Sequence, residues 1–355
     1  MKIATRKDVI ESILINAQAF LERKDPTNIT SHIYLDASNK EVIIRATDSE
    51  IGLEVKSDQF NVIDSGIFTA NGKKLLDIVR SLKDDIIEFE VIDSSLIIKQ
   101  KSTKFKLPTF SYQEYPTFPT IDNKAQISLD SLELIKSLKK ITPAIDINNP
   151  KYELNGALLD IKSNKTLLVG TDTRRLAIVE LDKESSQELD LIIPKKAIIE
   201  IQKLFLDKID IYYDETNIII KNDQFFLYSR LINGKFPDYA RIIPQTTKFN
   251  LKIPKKELLE AMKVVNIISP EIKITFETNL VTLESLNNDI QEAKTSIETA
   301  IAIDNSFSFA VNSKYLFDFI SQVDETEFEF GLNEPSLPFL VKSQNFLTVI
   351  MPILL

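Results

Sequence analysis

Apolar positions along the chain switch between a helical and a strand-like period, and the whole switch occurs three times. Val9, Ile10, Ile13, Leu14, Ala17 and Leu21 recur at helical spacing, with Thr5 as the expected N-cap and Asp8 three residues later. Leu132, Ile135, Leu138 and Ile141 repeat the stripe after Asp130. Leu258, Met262, Val265 and Ile268 repeat it after Pro254, a residue suited to a helix start. Strand-like runs at 42–48 and 167–172 follow, and their Thr-Asp pairs, Thr47-Asp48 and Thr171-Asp172, lie 124 residues apart. A weaker third copy spans 280–285 and runs into a polar stretch at 286–297. A second helix with a basic start is expected at Asn71-Gly72-Lys73-Lys74, at Pro194-Lys195-Lys196 and at Asn312-Ser313-Lys314. Strand pairs then follow at 86–92 with 96–99, 209–213 with 218–221, and 327–330 with 339–342. The turns use Asn, Asp and Ser where glycine is common elsewhere, as in Ala37-Ser38-Asn39 and Asp214-Glu215-Thr216-Asn217.

Each unit therefore reads as a helix, a strand group, a second helix and another strand group in roughly 118 residues, an ordinary domain size. The expected fold class is α+β, with three repeated domains that each set two helices against antiparallel sheets. Tyr115-Pro116-Thr117-Phe118-Pro119 closes the first unit and Phe236-Pro237-Asp238-Tyr239 the second, which places domains at 1–119, 120–244 and 245–355. The third unit ends in the apolar run Val349-Ile350-Met351-Pro352-Ile353-Leu354-Leu355, where a linker would begin. Pro352 cannot donate to a ladder, so strand pairing should stop near Met351 and free the last residues to line a groove. Two such chains joined head to tail would make a ring of six units and twelve helices. At ~8–10 Å between helices its circumference is about 110 Å, leaving a bore of about 25 Å, enough for a duplex.

Composition narrows the chemistry. There is no cysteine or tryptophan and a single histidine, His32, so thiolate chemistry, Cys-ligated metals and multi-histidine metal sites are excluded. Neither GxGxxG nor GxxxxGK[ST] occurs, and no cofactor is implied. The N-terminus lacks an apolar signal core, and no apolar run approaches the ~20 residues of a membrane span, so a cytoplasmic protein without membrane partners is expected. The formal net charge of −9 argues against nucleic acid at face value. Charge can be segregated, however. Lys73, Lys74, Arg80 and Lys83, then Lys136, Lys139, Lys140, Lys195, Lys196 and Lys203, then Lys255, Lys256 and Lys263 occupy non-apolar helix positions, while much of the acid falls in strands and turns. Any one lysine is a solvated surface residue. The pattern repeated in all three units favours a shared basic face.

Four segments, in this order and spacing, resemble the bacterial beta sliding clamp family, the processivity subunit of the replicative DNA polymerase III holoenzyme. They are Leu154-Asn155-Gly156, then Thr171-Asp172-Thr173-Arg174-Arg175-Leu176-Ala177, then Phe236-Pro237-Asp238-Tyr239-Ala240-Arg241-Ile242-Ile243-Pro244, and the terminal Met351-Pro352. The resemblance covers the whole chain. It implies a non-catalytic clamp that encircles duplex DNA without sequence preference, is opened by an ATP-driven loader, and tethers the polymerase catalytic subunit and other motif-bearing proteins.

The resemblance also implies sites. An apolar peptide cleft would include Leu154, Thr171, Arg174, Arg175, Leu176, Pro237, Arg241, Ile242, Asn312, Tyr315, Val349, Ile350, Met351, Pro352 and Ile353. Such a pocket, rimmed by arginine, suits an extended peptide with apolar anchors. DNA would meet Arg23 and Lys24 besides the helix cations Lys73, Arg80, Lys136, Lys139, Lys140, Lys195, Lys196 and Lys203. A head-to-tail homodimer would close through Phe105 and Leu107 on one edge and Ile267 and Ile268 on the other, although locally these residues read equally well as core. The family usually has Gly-His at Thr173-Arg174, an aromatic at Glu153 and a basic residue at Leu354, so motif preference here should differ. A carboxylate-based glycosidase and a repeat scaffold without DNA are the competing readings. Retention on circular DNA separates them from a clamp.

Overall fold

The computed structural model describes residues 1–182, 188–286 and 292–354. Part of the third polar stretch (287–291) and Leu355 of the apolar tail lie outside the described residues. Helices α1 (Lys7–Ala17), α2 (Gly72–Ser81), α3 (Ser131–Ile141), α4 (Lys195–Leu204), α5 (Lys255–Val265) and α6 (Ser313–Ile320) stand where the stripes and the basic starts place them. The side chains of Asn71 and Asn312 cap α2 and α6, each accepting from the main-chain N–H of Lys74 or Lys314 at 3.0 Å. Thr5 is not a cap. It lies in a strand, Lys2–Arg6, and its hydroxyl donates to the Gln59 carbonyl, while Arg6 stands at the helix start and its side chain makes no capping bond, donating instead to Asp8. A short strand precedes the first helix of every repeat (Lys2–Arg6, Ala125–Ile127, Phe249–Pro254), and the helical stripe begins too soon after it for the two periods to separate in the sequence. Among the described residues no helix is long and apolar enough to cross a membrane.

The chain forms two compact units, one of Met1–Leu132 with Lys196–Leu231, the other of Glu133–Lys195 with Ile232–Leu355. Each is built on an antiparallel sheet of eight strands that crosses a repeat boundary. In the first unit that sheet runs Ala125–Ile127, Asp210–Tyr213, Asn217–Lys221, Phe225–Arg230, Ile51–Ser57, Val42–Thr47, His32–Asp36 and Ile67–Asn71. In the second it runs Leu189–Pro194, Gly156–Lys162, Lys165–Thr171, Arg175–Leu181, Phe346–Ile350, Phe339–Ser343, Glu327–Leu332 and Phe249–Pro254. Both seams join the last strand of one repeat to the strand after the Thr-Asp turn of the repeat before it. Phe225 faces Val55 in the first seam and Phe346 faces Val179 in the second. Val55 and Val179 are 124 residues apart, like the Thr-Asp pairs, so the two seams are the same joint.

Two smaller sheets complete the units. A five-stranded sheet in the first ends at the edge strand Thr103–Pro108, and a four-stranded sheet in the second ends at the edge strand Lys294–Glu298. These edges are the last strand of the first repeat and the post-turn strand of the third, the element types that pair in both seams. Burial follows the sheets. Phe276, Phe309, Phe330 and Phe339 pack as one aromatic group in the second unit, with adjacent ring centroids 4.6–6.4 Å apart.

Candidate functional site

The second seam carries the residues that the sequence singled out. The turn after Thr171 is held by its own side chains. The Thr171 hydroxyl donates to the Arg175 carbonyl at 2.6 Å and accepts from the Thr173 N–H at 3.1 Å. Asp172 Oδ1 accepts from the N–H groups of Arg174 and Arg175, both at 3.0 Å. Thr47, Asp48, Ser49, Glu50 and Ile51 form the same four bonds in the first repeat. Both turns place a non-glycine residue in left-handed backbone, Ser49 at φ 76° and Thr173 at φ 73°. Asx and hydroxyl bonds thus do here what glycine does in many turns.

The turn delivers Leu176 to an apolar cluster with Leu154, Leu158, Val169, Ile232, Phe236 and Val349, against which Tyr239 and Ile243 also pack. Leu176 faces Val349 and Arg175 faces Ile350 across the seam. Thr171 and Leu154 are buried, and Asn312 and Tyr315 half-buried. Pro237 is exposed, as are Ile242 and Met351, so the cluster continues into open apolar surface. The exposed 3-10 turn Tyr239–Ile242 is pinned by the Tyr239 hydroxyl, which donates to Asp160 Oδ2. Burial pushes the Tyr239 hydroxyl up, and the Asp160 carboxylate beside it adds to the effect. Burial alone would raise the Asp160 carboxyl, but bonds from Tyr239 and Lys162 outweigh it and hold the group below its usual range.

Two expectations about the cleft need correction. Arg175 does not rim it. Its side chain is buried, with Nε 3.0 Å from Asp172 Oδ2 and Nη1 2.7 Å from Asp318 Oδ2. It also donates to the Pro143 carbonyl, and its guanidinium lies 4.7 Å from the Tyr315 ring centroid. Arg175 is therefore a brace between the turn and α6. The exposed cations here are Arg174 and Arg241, and Arg241 is paired with Asp238 at 2.7 Å. The tail is likewise not free after Met351. The Met351 N–H donates to the Arg174 carbonyl at 2.9 Å, and beyond Pro352 the Ile353 N–H donates to the Ala310 carbonyl at 2.8 Å. Proline ends the ladder, but the next residue finds the unpaired edge of strand Phe307–Asn312. Pro352 and Ile353 are half-buried, and Leu354 is exposed.

The helix cations fall into two groups. Arg23, Lys24, Lys73, Lys136 and Lys139 are exposed and carry no carboxylate partner among the described residues. Arg80 lies 3.6 Å from Glu11. Lys140 donates to Asn345 at 3.3 Å, Lys196 pairs with Asp48 at 2.5 Å, and Lys203 pairs with Glu200 at 2.8 Å. Lys195 points inward, donating to the Ile145 carbonyl, and burial followed by the nearby Arg175 and Lys314 charges lowers its pKa. It is a structural donor, because a half-buried ammonium must bond to something within reach.

The expected joint residues differ in exposure. Ile267 is 81% exposed, just beyond α5, with Ile268 half-buried. Phe105 and Leu107, two apart on the edge strand, share one face, with Phe105 half-buried and Leu107 buried. The sequence reading missed Val264, 50% exposed and three residues before Ile267 on the same helical face.

Comparison with known proteins matches the chain to three consecutive family models: DNA polymerase III beta subunit, N-terminal domain (1–119), central domain (128–238) and C-terminal domain (240–354). A beta sliding clamp of Helicobacter pylori is 37% identical over 351 residues, covering 96% of this chain and 94% of that protein. One from Staphylococcus aureus is 24% identical over 359 residues, covering 96% and 95%. The structure of the Helicobacter pylori beta clamp bound to a DNA ligase peptide superposes with a TM-score of 0.95 at 37% identity, covering all of both chains. The DNA polymerase III subunit beta of Pseudomonas aeruginosa shares the fold, with a TM-score of 0.91 at 24% identity and full coverage of both chains.

Proposed function

Since this chain belongs to the DNA polymerase III beta subunit family, we propose that it is a sliding clamp: a non-catalytic ring of two copies that encircles duplex DNA and holds the replicative polymerase on it. The observation that carries the reading is the repeated seam. Two equivalent joints use up all but two of the matching edges. Thr103–Pro108 of one copy then pairs with Lys294–Glu298 of the other by the same joint, and two such contacts close six repeats. A head-to-tail contact must close by rotation or grow into a filament, and six repeats satisfy the first condition. Phe105, Val264, Ile267 and Ile268 flank this joint, and an ATP-driven loader opens it. The exposed cations on α2 and α3, with Arg23 and Lys24, face the bore and meet phosphates without reading bases. The chain works where the chromosome lies, in the cytoplasm.

Partners dock by inserting a short apolar segment beside Leu176, Ile242 and Met351, as the ligase peptide bound to the Helicobacter clamp suggests. The polymerase catalytic subunit and other motif-bearing proteins compete for this groove. The decisive experiment joins two measurements on the full-length protein. The loaded clamp stays on circular duplex DNA and slides off when the circle is cut. Deleting Met351 to Leu355 removes apolar anchors worth ~1.5–3 kcal/mol each when buried, so anisotropy with an apolar polymerase-tail peptide reads at least a tenfold loss of affinity. Sedimentation still shows a dimer. Equal retention on cut and closed DNA would reject the clamp, and unchanged peptide affinity would reject the groove.

A further inference from the structure

A cavity of about 780 Å³ opens between α1 and α2 in the first unit, and nothing in the clamp activity calls for it. We propose that it holds an unpaired nucleotide of single-stranded DNA, which rests on the reading that these helices face DNA. Three kinds of lining group converge there. Ile15, Leu21, Leu76 and Pro26 give an apolar wall, with Ile15 47% exposed. Arg23, Lys73 and Lys74 are exposed cations with no carboxylate partner among the described residues. Glu22 and Asp77 bring acceptors into the same space.

Each group answers one part of a nucleotide. The cations suit phosphate, and Lys73 and Lys74 sit in the first turn of α2, where the helix dipole also favours an anion. The apolar wall suits a base or sugar face, as apolar side chains do where they contact unstacked bases. The carboxylates suit exocyclic amino groups, as Asp and Glu do when they accept from cytosine. An acidic peptide would match the cations but carries no base amino group to donate to Glu22 and Asp77. A paired duplex, about 20 Å across, cannot enter a space of this size and can only pass its mouth. A strand whose bases are already unstacked can enter, as at a primer–template junction. No aromatic ring lines the cavity, so affinity comes mainly from phosphate contact and falls steeply with salt.

The test uses the full-length protein and fluorescent oligodeoxycytidine or oligothymidine of about 10 nucleotides at low salt. Oligodeoxycytidine binds more tightly than oligothymidine, which lacks the amino group. Lys74→Gln weakens both several-fold, Asp77→Ala removes the difference between them, and Ile15→Glu, a surface change that spares the fold, weakens both. Lys40→Gln, an exposed lysine outside the cavity in the turn after strand His32–Asp36, leaves both unchanged. The proposal is overturned if Ile15→Glu and Lys74→Gln bind as the parent does, if Lys40→Gln weakens binding equally, or if neither oligonucleotide binds while the protein is still retained on closed circles. Loss of that retention would instead reject the clamp reading.

Discussion

Replacing Arg175 with methionine tests whether the second seam is braced by a buried charge. Methionine keeps most of the side-chain volume, so the loss is chiefly electrostatic. Removing one member of a buried ion pair costs ~3–5 kcal/mol when the partner is left uncompensated. Here the carboxylates keep other partners. Asp318 retains Lys314 at 2.7 Å, and Asp172 retains two main-chain N–H groups at 3.0 Å. The Pro143 carbonyl loses a donor, which adds ~1–3 kcal/mol if nothing replaces it. Partial compensation by Lys314 and the turn amides brings the total to about 2–3 kcal/mol, a 30- to 150-fold shift in the folding equilibrium of the second unit. Urea melts of the full chain, with Asp318→Asn and the double variant, complete a cycle in which the pair couples by about 1–2 kcal/mol. A methionine variant within about 0.5 kcal/mol of the parent would refute the brace, as would a coupling indistinguishable from zero.

Ile267→Asp should give folded monomers in sedimentation, because the side chain is 81% exposed in the single chain; a persistent dimer would relocate the joint. His32 is buried against Phe110 at 4.1 Å between ring centroids, and burial, helped by the Lys74 charge, pulls its pKa from 6.5 to about 4. The unfolded chain therefore binds the extra proton first. This contribution is complete above pH ~6.5 and is lost as pH falls toward 4, by about 3 kcal/mol in all. His32→Phe should flatten that part of the stability curve, and parallel curves would contradict the assignment. Thr173→Gly should raise the unfolding free energy by up to about 1 kcal/mol, read as a higher urea midpoint, by relieving the φ of 73°, whereas Thr173→Ala should not; a loss in both would show that the Thr173 side chain matters more than its backbone.

Much of this architecture is legible in the order of the residues alone. The helical stripes locate α1, α3 and α5 because each helix buries one face, basic starts locate α2, α4 and α6, and the 124-residue spacing of Thr47 and Thr171 reports two copies of one hydrogen-bonded turn. What stays hidden depends on partners distant in sequence. Nothing near Phe225 indicates that it faces Val55, because period-two alternation gives a strand its faces but not its neighbour. Arg175 reads as a surface cation until Asp318, 143 residues away, is known to meet it. The tail is half legible. Pro352 correctly predicts the end of the ladder, but the edge that captures Ile353 belongs to a different sheet.

The two seams are one joint, yet only the second presents an open apolar groove, and the difference lies in a few side chains. Gly52 occupies the first seam where Leu176 occupies the second, and Tyr228 stands where Val349 does. The missing Cβ at Gly52 makes room for the Tyr228 ring, whose hydroxyl bonds to Thr47 at 2.7 Å. Phe118 of the linker packs edge-on against that ring at 4.9 Å, with the Arg45 guanidinium 5.2 Å from the Phe118 centroid. The first seam is thus filled by the chain's own aromatic residues. Tyr239 stands at the position of Phe118 in the second linker, but its hydroxyl turns to Asp160 and leaves Ile242 46% and Met351 40% exposed. A repeat that must pair twice by the same rule can therefore differ in what covers the pairing. Local substitutions, with the backbone joint unchanged, close one groove and leave the other available to a partner.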